Sequence, residues 1–238
     1  LDKVKETLGK NDIFIHMDFS ENYSCKYSSE VQSSHFGASN GQISLHTVVV
    51  YYVSKETELV ESKCFATLSD NLRHDAAAIF SHLQPVAREM KICVDEIKTV
   101  HFLSDGPTTQ YRNRTIFYLL GNYVPVFFDS CSTVHWHYSE AGHGKGAPDG
   151  IGGCLKRTAD RLVAEGKDVT SCNVMITLLK DEIKNIQILE MDENFLKHID
   201  QFLPDPKTIR PFKGTMQTHE VVWARNTNLL RFRRLSCL

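Results

Sequence analysis

Three aspartates carry the first chemical hint. Asp18 closes the apolar run Ile13-Phe14-Ile15-His16-Met17, and Asp105 follows Thr99-Val100-His101-Phe102-Leu103 across a single serine. Asp149 stands where a helix is expected to open, directly after Pro148, a residue favoured in a first helical turn. Carboxylates at strand ends in open α/β sheets commonly face the ligand crevice. Three of them brought together would hold two divalent metals about 4 Å apart for in-line phosphoryl displacement. Their oxygens suit hard Mg2+ or Mn2+, and two cations would offset the repulsion of clustered carboxylates. Taken singly, each aspartate also has a plain structural reading as a turn former or helix cap.

Basic and polar side chains flank these acids. Gln110, Arg112, Asn113 and Arg114 follow Asp105, where a substrate could pass, and are candidate contacts to it, or else one polar helix face. His143 and Lys145 sit in the glycine-rich stretch before Asp149, where lysine can meet a phosphate and histidine can position water or a leaving group. Lys156, Arg157 and Arg161 would form a phosphate-contacting edge of the next helix. A nucleotide-binding P-loop does not fit, because it needs GxxxxGK followed by Ser or Thr and Lys145 is followed by Gly146. His135 and His137 alternate with Trp136 and so share one side of a strand. With Cys131 close by, a zinc site and a pair of satisfied core histidines are both open readings; the spacing matches no standard zinc pattern.

The elements that must position these residues follow from periodicity. Gln42 to Val53, with Val48-Val49-Val50-Tyr51-Tyr52, and Glu61 to Leu68 read as strands joined by a turn at residues 54–57, hence an antiparallel hairpin. Ala76, Ile79, Phe80, Leu83, Val86, Ala87 and Met90 recur at helical spacing despite Pro85. Residues 99–103 form a further strand, 110–120 a helix, 133–138 a fifth strand, and the glycine-rich 142–153 opens a helix to about Glu165. Tyr111 and Phe117 are expected in the core. Helices over Ser171–Ile183 and Asp192–Phe202 flank a short strand at 186–189, and a terminal hairpin is expected around Asn226-Thr227-Asn228. The expected fold class is α/β, a mixed five-stranded sheet flanked by helices with a C-terminal α/β extension. The expected boundaries are a core over 1–167, a helix and strand extension over 168–204, and a basic hairpin segment over 205–238.

The order strand-Asp18, hairpin, helix, strand-Asp105, helix, strand, helix-acid resembles the ribonuclease H-like catalytic core of DDE/DDD transposases and retroviral-type integrases. Met17-Asp18-Phe19-Ser20-Glu21-Asn22-Tyr23 and the strings over 102–114 and 139–157 are similar to proteins derived from eukaryotic cut-and-paste DNA transposons. The similarity covers about residues 12–165. It implies a metal-dependent nuclease and strand transferase, with Mg2+ or Mn2+ as cofactor and DNA as partner. It also implies that Asp18 and Asp105 are the first two catalytic acids. For the third, Glu140 lies 35 positions after Asp105, while Asp149 has the placement the family prefers, on the following helix; Asp149 is favoured and Glu140 stays as the alternative. A domesticated, catalytically silent binding or assembly module is the second reading, and an RNA-directed nuclease a narrower variant of the first. Nuclear location follows from the inferred substrate alone, and a homo-oligomer is a further expectation.

Composition sets outer bounds. The chain has 238 residues, 42% hydrophobic and 24% charged, which excludes wholesale disorder and leaves ample length for a core. No apolar run approaches the roughly 18 to 20 residues of a membrane span. Seven dispersed cysteines without a CxxC pair fit the free thiols of a reducing compartment better than a disulfide framework. The opening Leu1-Asp2-Lys3 is neither an initiator Met nor a signal peptide, and is expected to be the start of a piece of a longer protein. Net charge is −2, but residues 205–238 hold seven basic side chains against two acids. A basic tail on an acidic body steers towards phosphate or is simply a solvated edge.

Overall fold

The computed structural model describes residues 6–29, 41–139, 146–205, 207–210 and 212–235. In chain order the strands and helices are β1 (Asp12–Ser24), β2 (Gln42–Val53), β3 (Val60–Ser69), α1 (Ala76–Cys93), β4 (Thr99–Ser104), α2 (Arg114–Phe127) and β5 (Thr133–Tyr138). They are followed by α3 (Ala147–Ala164), α4 (Cys172–Glu182), β6 (Ile186–Glu190), α5 (Glu193–Phe202), β7 (Glu220–Ala224) and β8 (Leu229–Arg233). All eight strands join one mixed sheet in the order β6-β3-β2-β1-β4-β5-β7-β8. The expected five-stranded sheet is therefore too small. The short run at 186–190 pairs in parallel with β3, and the terminal hairpin pairs through β7 with β5. Both C-terminal pieces extend the edges of the first sheet, a placement set by long-range pairing that periodicity cannot reveal.

The alternation of each strand divides its side chains between two cores. Ile13, Ile15 and Met17 of β1, Val48 and Val50 of β2, Val100 and Phe102 of β4 and Trp136 of β5 turn to the face covered by α1, α2 and α5. The second core draws its strand residues only from β1, β2, β3 and β6 and is closed by α3 and α4. On this second face, β4, β5, β7 and β8 contribute nothing to the apolar cluster, and polar side chains stand there instead. That asymmetry decides where chemistry is possible.

Local chemistry sets the helix ends. Asp75 caps α1 by accepting from the Ala78 N–H, and Asn113 caps α2 by accepting from Thr115 and Ile116. Pro85 lies inside α1 without ending it. Helix α2 begins at Arg114 rather than near 110, because Gln110, Tyr111 and Arg112 donate their N–H groups back to Pro107 O in a tight turn. Tyr111 and Phe117 are buried, as expected. The proline-rich stretch 203–214 has neither helix nor strand among its described residues.

Candidate active site

Asp18 and Asp105 are brought together by strand register. β1 and β4 run parallel with His16 opposite Leu103, and both aspartates lie two residues further on. Asp18 does not end its strand as expected: β1 continues to Ser24, held by β2 alone through a bulge between Ser20 and Tyr23. It does mark the level at which the parallel partner β4 stops. Asp149 comes from the first turn of α3, whose start packs closely on β1. A Cβ at Gly146 would stand 2.6 Å from the His16 ring, and one at Gly152 would stand 2.5 Å from Ser20 Oγ. Those two glycines let the helix approach the strand that carries Asp18.

The three carboxyls are near enough to act on one another's charge. The Asp18 carboxyl is pushed up to about 7, chiefly by burial and then by the charges of Asp105 and Asp149. Burial also raises Asp105; the Arg112 guanidinium opposes the rise and Asp149 adds to it. Asp105 Oδ1 is buried without a hydrogen-bond partner, which is costly unless a cation or proton serves it. Asp149 Oδ2 accepts from the Gly146 N–H at 2.7 Å, so this residue also caps its own helix.

The segment carrying Asp105 is fixed from behind. Trp136 Nε1 donates to Ser104 Oγ at 3.0 Å, and that hydroxyl donates to Asp105 O at 2.9 Å. Tyr138 Oη donates to Tyr111 O, tying the end of β5 to the turn after Asp105. Sequence reasoning missed this frame, since nothing local marks Ser104 or Trp136 as partners across two strands.

The model of the family described as Domain of unknown function (DUF8701) matches residues 1–236. The chain belongs to this family. No curated protein and no solved structure matches it.

The expected nucleic-acid contacts divide. Arg112 needs correction: it is 6% exposed, stacked 4.6 Å over the Tyr138 ring, and donates to Met216 O. A buried guanidinium is the counter-charge of the acid site and not a contact to a DNA backbone. Gly106 makes room for it, since a Cβ there would collide with the Arg112 guanidinium. Asn113 is spent on capping α2. Arg114 donates to Ile209 O, and Lys156 lies against Glu21, donating to its backbone oxygen at 3.3 Å. Arg161 is held by Glu165 and Glu182. Arg157 is exposed on α3. Glu140, His143 and Lys145 lie outside the described residues.

His135 and His137 do share one side of β5, and the side is the one without an apolar cover. Cys131 is buried in the first core, on the other side of the sheet, and does not join them. Their third neighbour is His101 of β4, paired directly with His135 in the parallel register. Its polar position in Thr99-Val100-His101 was the available signal.

Proposed function

We propose that the protein is a metal-dependent phosphodiester-cleaving and strand-transferring enzyme whose sheet is an enlarged ribonuclease H-like core. The single observation carrying this reading is the meeting of Asp18, Asp105 and Asp149 from two parallel strands and a helix start, with Asp105 Oδ1 buried and unpartnered. The element order that underlies the resemblance to DDE/DDD transposases recurs in the described fold. The donor set fits the expected cofactor, because all three groups are carboxylates and Mg2+ or Mn2+ prefers oxygen. Asp18 and Asp105 would hold the ions with Asp149, and bound metal would supply an activated water or 3′-hydroxyl and charge relief at the leaving oxygen.

The chain's own groups define the rest. Arg112 lowers the cost of ionising Asp105, and Ser104 with Trp136 fixes the backbone from which Asp105 projects. Arg157 is an exposed cation on the helix that carries Asp149, and in this reading it would meet a DNA phosphate.

A catalytically silent module is the second reading, favoured by one observation. Asp149 already has a capping role, and Arg114, Lys156 and Arg161 are engaged within the chain. Calorimetry with Mn2+, followed by cleavage of duplex DNA, separates the two. The enzyme reading expects Mn2+ uptake by the wild type and a drop in cleavage of roughly 10³-fold or more in Asp105→Asn. Full activity in that variant would sink it, and a wild type that takes up no Mn2+ in the presence of DNA would favour the silent module.

A further inference from the structure

The uncovered part of the sheet's second face carries a second cluster, unlike the first in its donors. His101 of β4 and His135 and His137 of β5 each offer a ring nitrogen, and these three atoms lie within 4.8 Å of one another. His101 Nδ1 and His137 Nε2 are 3.4 Å apart. These two nitrogens share a hydrogen bond; since two nitrogens on one tetrahedral Zn2+ at about 2.0–2.1 Å also sit about 3.4 Å apart, an ion would take the place of the proton they share, with the rings turning towards it. The rings lie nearly parallel, with centroids 4.7 Å apart for His101 and His135 and 5.9 Å for His135 and His137. Modest ring rotation would aim the third nitrogen.

What stands behind the rings is the stronger argument. Glu220 of β7 is 1% exposed, and its Oε1 lies 2.8 Å from His135 Nδ1 and 3.9 Å from His137 Nδ1. With its Nδ1–H given to Glu220, His135 keeps Nε2 to offer a metal, and this carboxylate–histidine pairing is the usual support of a zinc ligand. Arg233 of β8 holds the other oxygen of Glu220 at 3.0 Å. The cluster opens into a small cavity lined also by Thr7, Leu8 and Asp12, which leaves room for a water in the fourth position.

We propose that His101, His135 and His137 form a binding site for a borderline divalent transition ion of the Zn2+ class, backed by Glu220 and distinct from the carboxylate site. Imidazole nitrogens select such ions and not Mg2+. Because the ligands come from β4 and β5 and their support from β7 and β8, a bound ion would clasp the terminal hairpin to the central strands.

Titration of the tag-free chain with Co2+ tests this. With excess Mg2+ present to occupy the carboxylates, the expected result is one Co2+ per chain with the intense visible bands of a tetrahedral nitrogen site, displaced by Zn2+. His135→Ala, whose ring is partly exposed, should lose those bands. Glu220→Gln, which keeps all three rings, should weaken binding about 10–100-fold. Asp105→Asn should keep the tetrahedral bands, whatever it loses at the carboxylate site. Absence of tetrahedral bands in the wild type, or bands unchanged in His135→Ala, would overturn the assignment. Should the variants fail to fold, anomalous scattering at the zinc edge from wild-type crystals soaked in Zn2+ decides. A peak among the three rings supports the site, and a peak only at the aspartates, or none, refutes it.

Discussion

Two polar clusters share one face of the sheet, and they answer burial in opposite ways. At Asp18 and Asp105, loss of water raises the carboxyl, Asp18 to about 7. At the histidines it lowers the imidazoles, His101 to about 4 and His137 to about 3. Both changes favour the neutral form. A neutral imidazole is a finished metal ligand, whereas a protonated carboxyl must first lose its proton. His101 and His137 are thus neutral at neutral pH, and Asp18 becomes fully ionised only as a cation arrives. They also differ in construction. The imidazoles rest on paired strands alone, while the carboxylates need a helix to be seated against β1.

The largest effect that would break this contrast is expected at Arg112. It is the one described cation coupled to Asp105, and it is buried. Arg112→Met removes the charge and keeps much of the bulk, leaving carboxylates uncompensated, at a cost of about 3 kcal/mol in chemical denaturation. Saturating Mn2+ should restore much of that loss, since a divalent cation replaces the missing charge. Tetrahedral Co2+ binding at the histidines should be unchanged. An equal loss with and without Mn2+ would mean that Arg112 serves through packing on Tyr138 and not through charge.

A smaller effect sharpens the pKa side of the comparison. Asp18 is raised in the folded chain relative to its ordinary value near 3.8. Between about pH 4 and 7 the folded state therefore binds a proton that the unfolded state has lost, and this group makes stability fall as pH rises through that window. The buried histidines act in the reverse sense. His82, His101 and His137 are lowered from 6.5, so they withdraw stability as pH falls below that value. Raw pH profiles mix the two. Subtraction isolates Asp18: Asp18→Asn should be more stable than the wild type by on the order of 1–2 kcal/mol above pH 7, allowing for solvent screening. The difference should vanish below pH 4 and shrink when Mn2+ is added. A difference that is flat with pH would mean that Asp18 is not raised.

How much of this was legible before the fold was known depends on range. The hairpin of β2 and β3, helix α1 through Pro85 and the helix start at Asp149 were carried by local periodicity and turn chemistry, which act over a few residues. Asp18 and Asp105 were recognisable because each ends an apolar run. Their side-by-side placement depends on β1 pairing with β4, some 85 residues apart in sequence by simple count. Arg112 was misjudged for a related reason. An arginine next to a polar turn looks solvated, and only the approach of Tyr138 and Met216 shows that it is buried. His101 was passed over because a histidine alternating within a strand gains meaning only from the register that sets it against His135. The two edges of the sheet were invisible for the same reason: β6 and β7 choose partners far along the chain.

The smallest expected effect tests the difference in construction. Gly150 and Gly152 both lie within α3, where glycine costs about 1 kcal/mol relative to alanine. A Cβ at Gly150 meets nothing within 4 Å, so Gly150→Ala should gain about 0.5–1 kcal/mol. A Cβ at Gly152 would lie 2.5 Å from Ser20 Oγ and 2.9 Å from Ser20 Cβ, so strand and helix must part. Gly152→Ala should forfeit the helix-propensity gain and lose about 1 kcal/mol instead. The same displacement would carry Asp149 away from Asp18 and weaken Mn2+ binding in calorimetry, while Co2+ binding at the strand-borne histidines stays as in the wild type. Equal weakening at both clusters would show that they move as one body, and the division between a helix-seated site and a strand-built site would then fail.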